Sequence, residues 1–255
     1  MSLQRELGRI HQQYWSQVRN LLDFIHEIDA AVTRGRDAAR FPRLSKKGAA
    51  EFDKLTTLLR PAMAGAGEPK ARMIVSGKLG AWLLSQVASL QARGFLGEMS
   101  LAYLISYQEA FLKDYLKAIL CDRKVMLKSS RTISYEEVCS HISIEELIAD
   151  MAQKEVDSLG FGNIDDFAAY FERKFKLKFE HFPAWPDLRE AAYRRNLILH
   201  GSGITNAMYC LKTGYSKCGA RLVTEPSYVC AMARTLLRFM AYVHRHIRTK
   251  FKMTT

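Results

Sequence analysis

The residues with the most chemical capacity lie together in "RRNLILHGSG", residues 194–203. Arg194 and Arg195 supply permanent cations, Asn196 an amide and His200 an imidazole. Asn196 and His200 are four positions apart, so on a helix they stack on one face. Arg195 lies about 140° around the helix from His200, and meets it only if its long side chain curls back. Gly201 and Gly203 are natural terminators, which puts His200 in the last helical turn. The unpaired carbonyls of that last turn are favourable company for an imidazole. Such a histidine can take a proton from a 2′-hydroxyl while a guanidinium stabilises charge on the phosphoryl oxygens. The chemistry this predicts is phosphodiester cleavage. The competing structural reading has Arg195 capping a neighbouring helix end and His200 simply packing.

Other chemistries fail on spacing. "SGKLG" has the Gly77–Lys78 pair of a phosphate loop, but Leu79 stands where a hydroxyl is needed and Arg72 where the first glycine belongs. "HEIDA" at 26–30 lacks the second histidine of a zinc-protease helix. His244 and His246 point roughly 200° apart on a helix and cannot share a metal. No metal-ligand cluster or cofactor motif is visible, so no cofactor is expected. "FERKFKLKFEHF", residues 171–182, interleaves phenylalanines with basic residues. That pattern suits a stacking platform for single-stranded nucleic acid, but steps of four among the phenylalanines suit a core stripe better.

The elements that carry these groups are helical. Leu3, Leu7, Ile10, Tyr14, Val18, Leu21, Ile25 and Ile28 recur every three or four residues and predict one long amphipathic helix. "TRGRDAARFPRLSKKG" then breaks the pattern with six basic residues against one Asp. A helix is expected around 46–59, a Pro/Gly-rich break at 61–69, a helix across about 71–92, and a long one from Leu96 onward. Ser143 with Glu146, and Asn163 with Asp166, have the spacing of capping boxes. Val229, Ala233, Leu236, Met240, Val243 and Ile247 form the apolar stripe of a closing helix, with Arg234, Arg238, Arg245 and Arg248 on its remainder. The fold class expected is all-α.

With 48% hydrophobic and 25% charged residues over 255 positions, the chain can bury the core of one large domain, or of one domain with an extension. A net charge of +12 favours a polyanionic partner, either nucleic acid or an anionic membrane surface. No apolar run reaches the roughly 18 residues of a membrane span, and the polar N-terminus is not a secretory signal. Cys121, Cys139, Cys210, Cys218 and Cys230 are odd in number and contain no CxxC pair. Free thiols and a cytoplasmic location are therefore expected.

"EAAYRRNLILHGSGITNAMY" resembles the signature of HEPN domains, in which an Arg, often followed by Asn, precedes a His by four to six residues. The surroundings are similar too: "SYQEAFLKDYLKAIL" looks like the long helix preceding the motif, "ISIEELIADMAQKEVDSLGF" like the middle helices, and "YVCAMARTLLRFMAYVHRHI" like the closing helix. The resemblance covers roughly residues 98–250. It implies a HEPN-like helical domain at 96–255, with 1–95 as an N-terminal helical extension. It also implies a homodimer with the motif at the interface and metal-independent endoribonuclease activity on RNA, as in toxins and antiphage defence effectors. Carried over, Arg195 binds and stabilises the phosphate, His200 is general base or acid, and Asn196 orients His200 or the phosphate. Arg194 and Tyr193 are then substrate contacts, and Glu109 in "QEAF" an anchor for Arg195. A regulatory or antitoxin protein is a possible partner. The alternative is a non-catalytic HEPN module that binds nucleic acid or a protein through the same dimer, and a membrane-surface adaptor would leave the motif unexplained.

Overall fold

The computed structural model describes residues 2–38, 77–127, 132–160 and 163–253. Among the described residues there are eight α-helices: α1 (Leu3–Ala38), α2 (Gly77–Asp122), α3 (Tyr135–Cys139), α4 (Ile144–Gly160), α5 (Ile164–Phe175), α6 (Trp185–Gly201), α7 (Ala207–Thr213) and α8 (Pro226–Lys250). Short 3₁₀ turns occupy Lys124–Leu127 and Phe179–His181. The protein is all-α. The only extended pairing among the described residues is an isolated antiparallel bridge between Ile204 and Arg221. No described helix is long and apolar enough to cross a membrane. The helix expected at 46–59 and the break at 61–69 lie outside the described residues, as do positions 39–47 of the basic segment.

The described chain forms two compact units, residues 1–26 with 96–255, and residues 27–95. The segment read from sequence as an extension is thus divided between them. Leu3, Leu7, Ile10, Tyr14, Val18 and Ile25 are buried in the same cluster as Leu101, Leu104, Phe111 and Leu116 of α2. The stripe of α1 is therefore part of the main core, because α2 offers it an apolar face. In the second unit, Arg93 and Asp29 form an ion pair at 2.6 Å.

Two expected breaks are absent. α1 continues through Gly35 to Ala38, and α2 runs unbroken for 46 residues across Gly94 and Gly97. An interior glycine costs a helix only about 1 kcal/mol, which packing readily outweighs. At Gly97 the packing itself demands glycine: a Cβ there would sit 1.8 Å from the carbonyl oxygen of Thr224. The segment before α8 thus lies directly on the backbone of α2.

The "FERKFKLKFEHF" stripe is core. Phe171, Phe175 and Phe179 are fully buried and Phe182 nearly so. Phe179 meets Trp185 and Phe239 with ring centres 5.0 and 4.9 Å away, the tilted geometry that aromatic rings prefer. Every apolar position named for the closing helix is fully buried in α8. Arg234, Arg238 and Arg245 are exposed.

Candidate functional site

Helix α6 carries the motif, and its ends explain where the chemistry sits. Pro186 stands in its first turn, where a missing N–H costs nothing. At the other end the helix continues through Gly201, and Ser202, not a glycine, takes the left-handed conformation at φ 52°. Gly203 follows at φ 74° and donates its N–H to the Leu197 carbonyl at 3.0 Å. Such endings satisfy carbonyls that the helix leaves unpaired.

The chain then folds back on itself. Buried Thr205 receives N–H bonds from Gly219 and Ala220, the latter through its hydroxyl. It also donates its own N–H to the Ala220 carbonyl at 2.9 Å. Within this fold-back sits α7, capped by the Asn206 side chain on Tyr209 N–H at 2.9 Å and ended by Gly214 at φ 74°. The fold-back brings Cys210 and Cys218 together with Cα atoms 6.2 Å apart, joined as a disulfide. This corrects the expectation that all five cysteines are free. The pairing needs the turn at Gly214, a geometry that spacing alone does not announce. Cys121, Cys139 and Cys230 take no part in a disulfide.

Arg195 forms an ion pair with Glu109 of α2. Its side chain is 14% exposed, and its Nε is buried with no hydrogen-bond partner. His200, by contrast, is exposed. It shares a pocket of about 360 Å³ with Asn196, Tyr193, Asn163, Asn206 and Met208. The structure thus brings Asn196 and His200 to one pocket, and leaves Arg195 outside its lining, on a different side of α6. Within one chain the cation and the histidine do not form a single cluster.

Arg194 is held three ways. Its Nε donates to Glu190 at 2.8 Å, its Nη1 to the Val223 carbonyl at 3.2 Å, and its guanidinium lies 4.3 Å from the Tyr228 ring centre. Glu190 also accepts the hydroxyls of Tyr209 and Tyr228. Burial first, and then the Glu190 charge, push both phenols upward, so they remain donors. Sequence reasoning missed this knot, although Glu190 and Arg194 have the i, i+4 spacing of a helical ion pair.

Tyr193 donates to Asp165 at 2.9 Å, and Asp165 also accepts two bonds from Arg189, at 2.6 and 2.8 Å, and one from Lys212 at 3.2 Å. The Arg189 hydrogen bonds dominate, and burial opposes them without prevailing. The Asp165 carboxyl is held down at about 2, while burial and that carboxylate push Tyr193 up to about 12. Asp165 sits in the first turn of α5, whose capping box is complete: Asn163 accepts from the N–H of Asp165 and Asp166, and Asp166 accepts from Asn163 N–H at 2.7 Å. At α4 the expected box is altered. Ser143 caps Glu146 N–H at 3.1 Å, but the Glu146 carboxylate reaches Ile142 N–H at 2.8 Å.

The rim of the motif is apolar. Leu199 and Met208 are 54% and 56% exposed, Ile204 47%, and Leu211 on α7 80%. Among the described residues, no group of three His, Cys, Asp or Glu side chains could hold a metal ion. What fold and site define is an all-α protein with an Arg-Asn-x3-His helix end opening onto a pocket in which a few polar groups stand among apolar walls. No family model, curated protein or solved structure matches the chain.

Proposed function

We propose that the protein is a HEPN-type, metal-independent endoribonuclease whose active site is completed by a second copy of the chain. The observation that carries this reading is the division of labour on α6. His200 and Asn196 face an open pocket, while Arg195 lies outside it, anchored by Glu109. A cation and a histidine that do not meet within one chain can meet across a two-fold axis, where each surface patch faces its own copy. The exposed Leu199, Ile204 and Met208 supply apolar area for such a contact.

In this reading one His200 removes the proton from a 2′-hydroxyl, whose oxygen attacks phosphorus. The symmetry-related His200 gives a proton to the departing 5′-oxygen, and the products are a 2′,3′-cyclic phosphate and a 5′-hydroxyl. Arg195 stabilises the phosphoryl oxygens, Asn196 orients His200 or the phosphate, and Tyr193 and Arg194 hold the helix while lying close to the substrate path. The biological role proposed with it is a toxin or antiphage effector, restrained by a partner protein.

The test is incubation of purified protein with mixed RNA in EDTA, followed by analysis of the new ends. Cyclic-phosphate ends support the proposal. Strict dependence on added Mg²⁺ with 5′-phosphate products overturns it. A second reading, a non-catalytic module binding nucleic acid or a protein partner, is favoured by one observation: both arginines of the motif are already paired inside the chain, with Glu190 and Glu109. RNA binding without cleavage in the same assay selects it.

A further inference from the structure

Three carboxamides meet at the pocket that His200 lines: Asn163 at the start of α5, Asn196 on α6 and Asn206 at the start of α7. Leu197 and Met208 add apolar wall. Among the described residues that line the pocket, none carries a permanent charge. A site of this kind suits the neutral part of a ligand, with apolar faces to cover and a polar edge to bind.

Two of these amides are held in one orientation by the helices they begin. The Asn163 oxygen accepts the N–H groups of Asp165 at 2.8 Å and Asp166 at 3.3 Å, and the Asn206 oxygen accepts that of Tyr209 at 2.9 Å. A carboxamide whose oxygen is committed in this way keeps its NH2 group as a donor. Asn196, half-buried inside α6, caps no helix and offers an oxygen as well as an NH2 group. The two phenols at the pocket are spent elsewhere: Tyr193 donates its proton to Asp165 and Tyr209 to Glu190. The pocket thus offers two fixed donors and one amide able to accept.

We propose that this pocket takes one unpaired nucleobase of the RNA, and that the base is uracil. The inference rests on the ribonuclease reading for its choice of RNA, while the base contacts themselves do not depend on cleavage. Single-stranded RNA is recognised by hydrogen bonds to the edges of splayed-out bases. Uracil presents two carbonyl oxygens and one N–H. These match the NH2 groups of Asn163 and Asn206 and the oxygen of Asn196, whose own NH2 stays available to the phosphate. Cytosine and adenine carry an amino group with two N–H, and guanine adds a ring N–H to its amino group. Each leaves a donor without an acceptor, which is costly in a closed site.

The rest of the site fits the ring and the sugar. Met208 is 56% exposed, and its polarizable thioether makes favourable contact with aromatic rings. A volume of about 360 Å³ lies at the small end for ligand sites and gives room for a base rather than a longer stretch of RNA. With the base inside, the sugar and phosphate remain at the mouth, beside exposed His200. The 2′-hydroxyl nearest that imidazole then belongs to the bound nucleotide, and cleavage falls on the 3′ side of uracil.

The experiment measures binding apart from cleavage, by fluorescence anisotropy with hexanucleotides of 2′-deoxy sugars, which lack the attacking hydroxyl. All positions hold adenine except one, which holds uracil, cytosine, guanine, adenine or N3-methyluracil. Uracil should bind about tenfold tighter than the other bases. N3-methyluracil should bind no tighter than adenine, because its N–H is gone. In the double variant Asn163→Ser, Asn206→Ser the preference for uracil should fall to near unity. Serine caps helices about as well as asparagine, so the variant should melt at the wild-type temperature. Cleavage of ordinary RNA is mapped in parallel, and cuts 3′ to uracil are expected. Uracil-selective binding without cleavage sustains the pocket and removes the ribonuclease. Absence of binding, binding or cleavage indifferent to the base, equal binding of N3-methyluracil, or an undiminished preference in the folded serine variant overturns the proposal.

Discussion

Glu109 and Arg195, 86 positions apart in the chain, form an ion pair that ties α2 to the motif helix α6. Glu109 stands 37% exposed while Arg195 is mostly covered, so the pair has one wet end and one dry end. The consequences differ for the two partners. Losing Glu109 strands a largely buried cation; losing Arg195 leaves a carboxylate that water can reach.

Glu109→Gln should therefore destabilise the fold by about 1–2 kcal/mol, between the values typical of exposed and of buried pairs. Adding Arg195→Met to that variant should recover part of the loss. A double-mutant cycle on chemical denaturation measures this, and a coupling energy of zero would show that the pair does not act as a unit.

Two glycines of α2 should respond in opposite directions. Gly94 has open space where a Cβ would stand, so Gly94→Ala should stabilise by about 1 kcal/mol through helix propensity alone. At Gly97 the same methyl meets the Thr224 backbone at 1.8 Å, and backbone cannot swing aside as a side chain can. Overpacking there should exceed the propensity gain and leave Gly97→Ala less stable by about 2 kcal/mol or more. Melting curves of the two variants check both signs.

Asp165 predicts an acid limb. Its carboxyl is depressed to about 2 in the folded state, chiefly by Arg189, from about 3.9 in an unfolded chain. The stabilisation is complete above pH 4 and disappears as pH falls toward 2, because the unfolded chain takes up the proton first. After allowance for solvent screening it is worth about 1 kcal/mol. In Asp165→Asn this component of the pH dependence, read from urea midpoints between pH 5 and 2, should be missing.

His200→Ala and Arg195→Ala test the proposed ribonuclease directly. Each should lower cleavage by about two to four orders of magnitude, the usual contribution of a positioned proton-transfer group or oxyanion donor. His200 is exposed, so its variant should fold and dimerise as wild type, measured by light scattering. Cleavage at wild-type rates in either variant would remove that residue from the active site.

Much of the framework follows from local sequence. The apolar stripe from Val229 to Ile247 and the phenylalanines at 171, 175, 179 and 182 are buried as their spacing requires. The Asn163–Asp166 cap forms because both partners lie within one helical turn. Placement of Asn196 beside His200 follows in the same way, from one period of one helix.

Tertiary structure decided what periodicity cannot address. A 3.6-residue repeat tells which face of a helix is buried but not which helix buries it. It therefore says nothing of the first turns of α1 entering the main core, or of Arg189 reaching Asp165. The continuity of α2 through Gly97 depends on Thr224, and the Cys210–Cys218 bond on the fold-back at Gly214. The sequence alone determined an all-α chain carrying an Arg-Asn-x3-His helix end. Only the tertiary structure determined that Arg195 meets Glu109 while His200 stays open, because burial of a charge depends on neighbours brought together by the path of the whole chain.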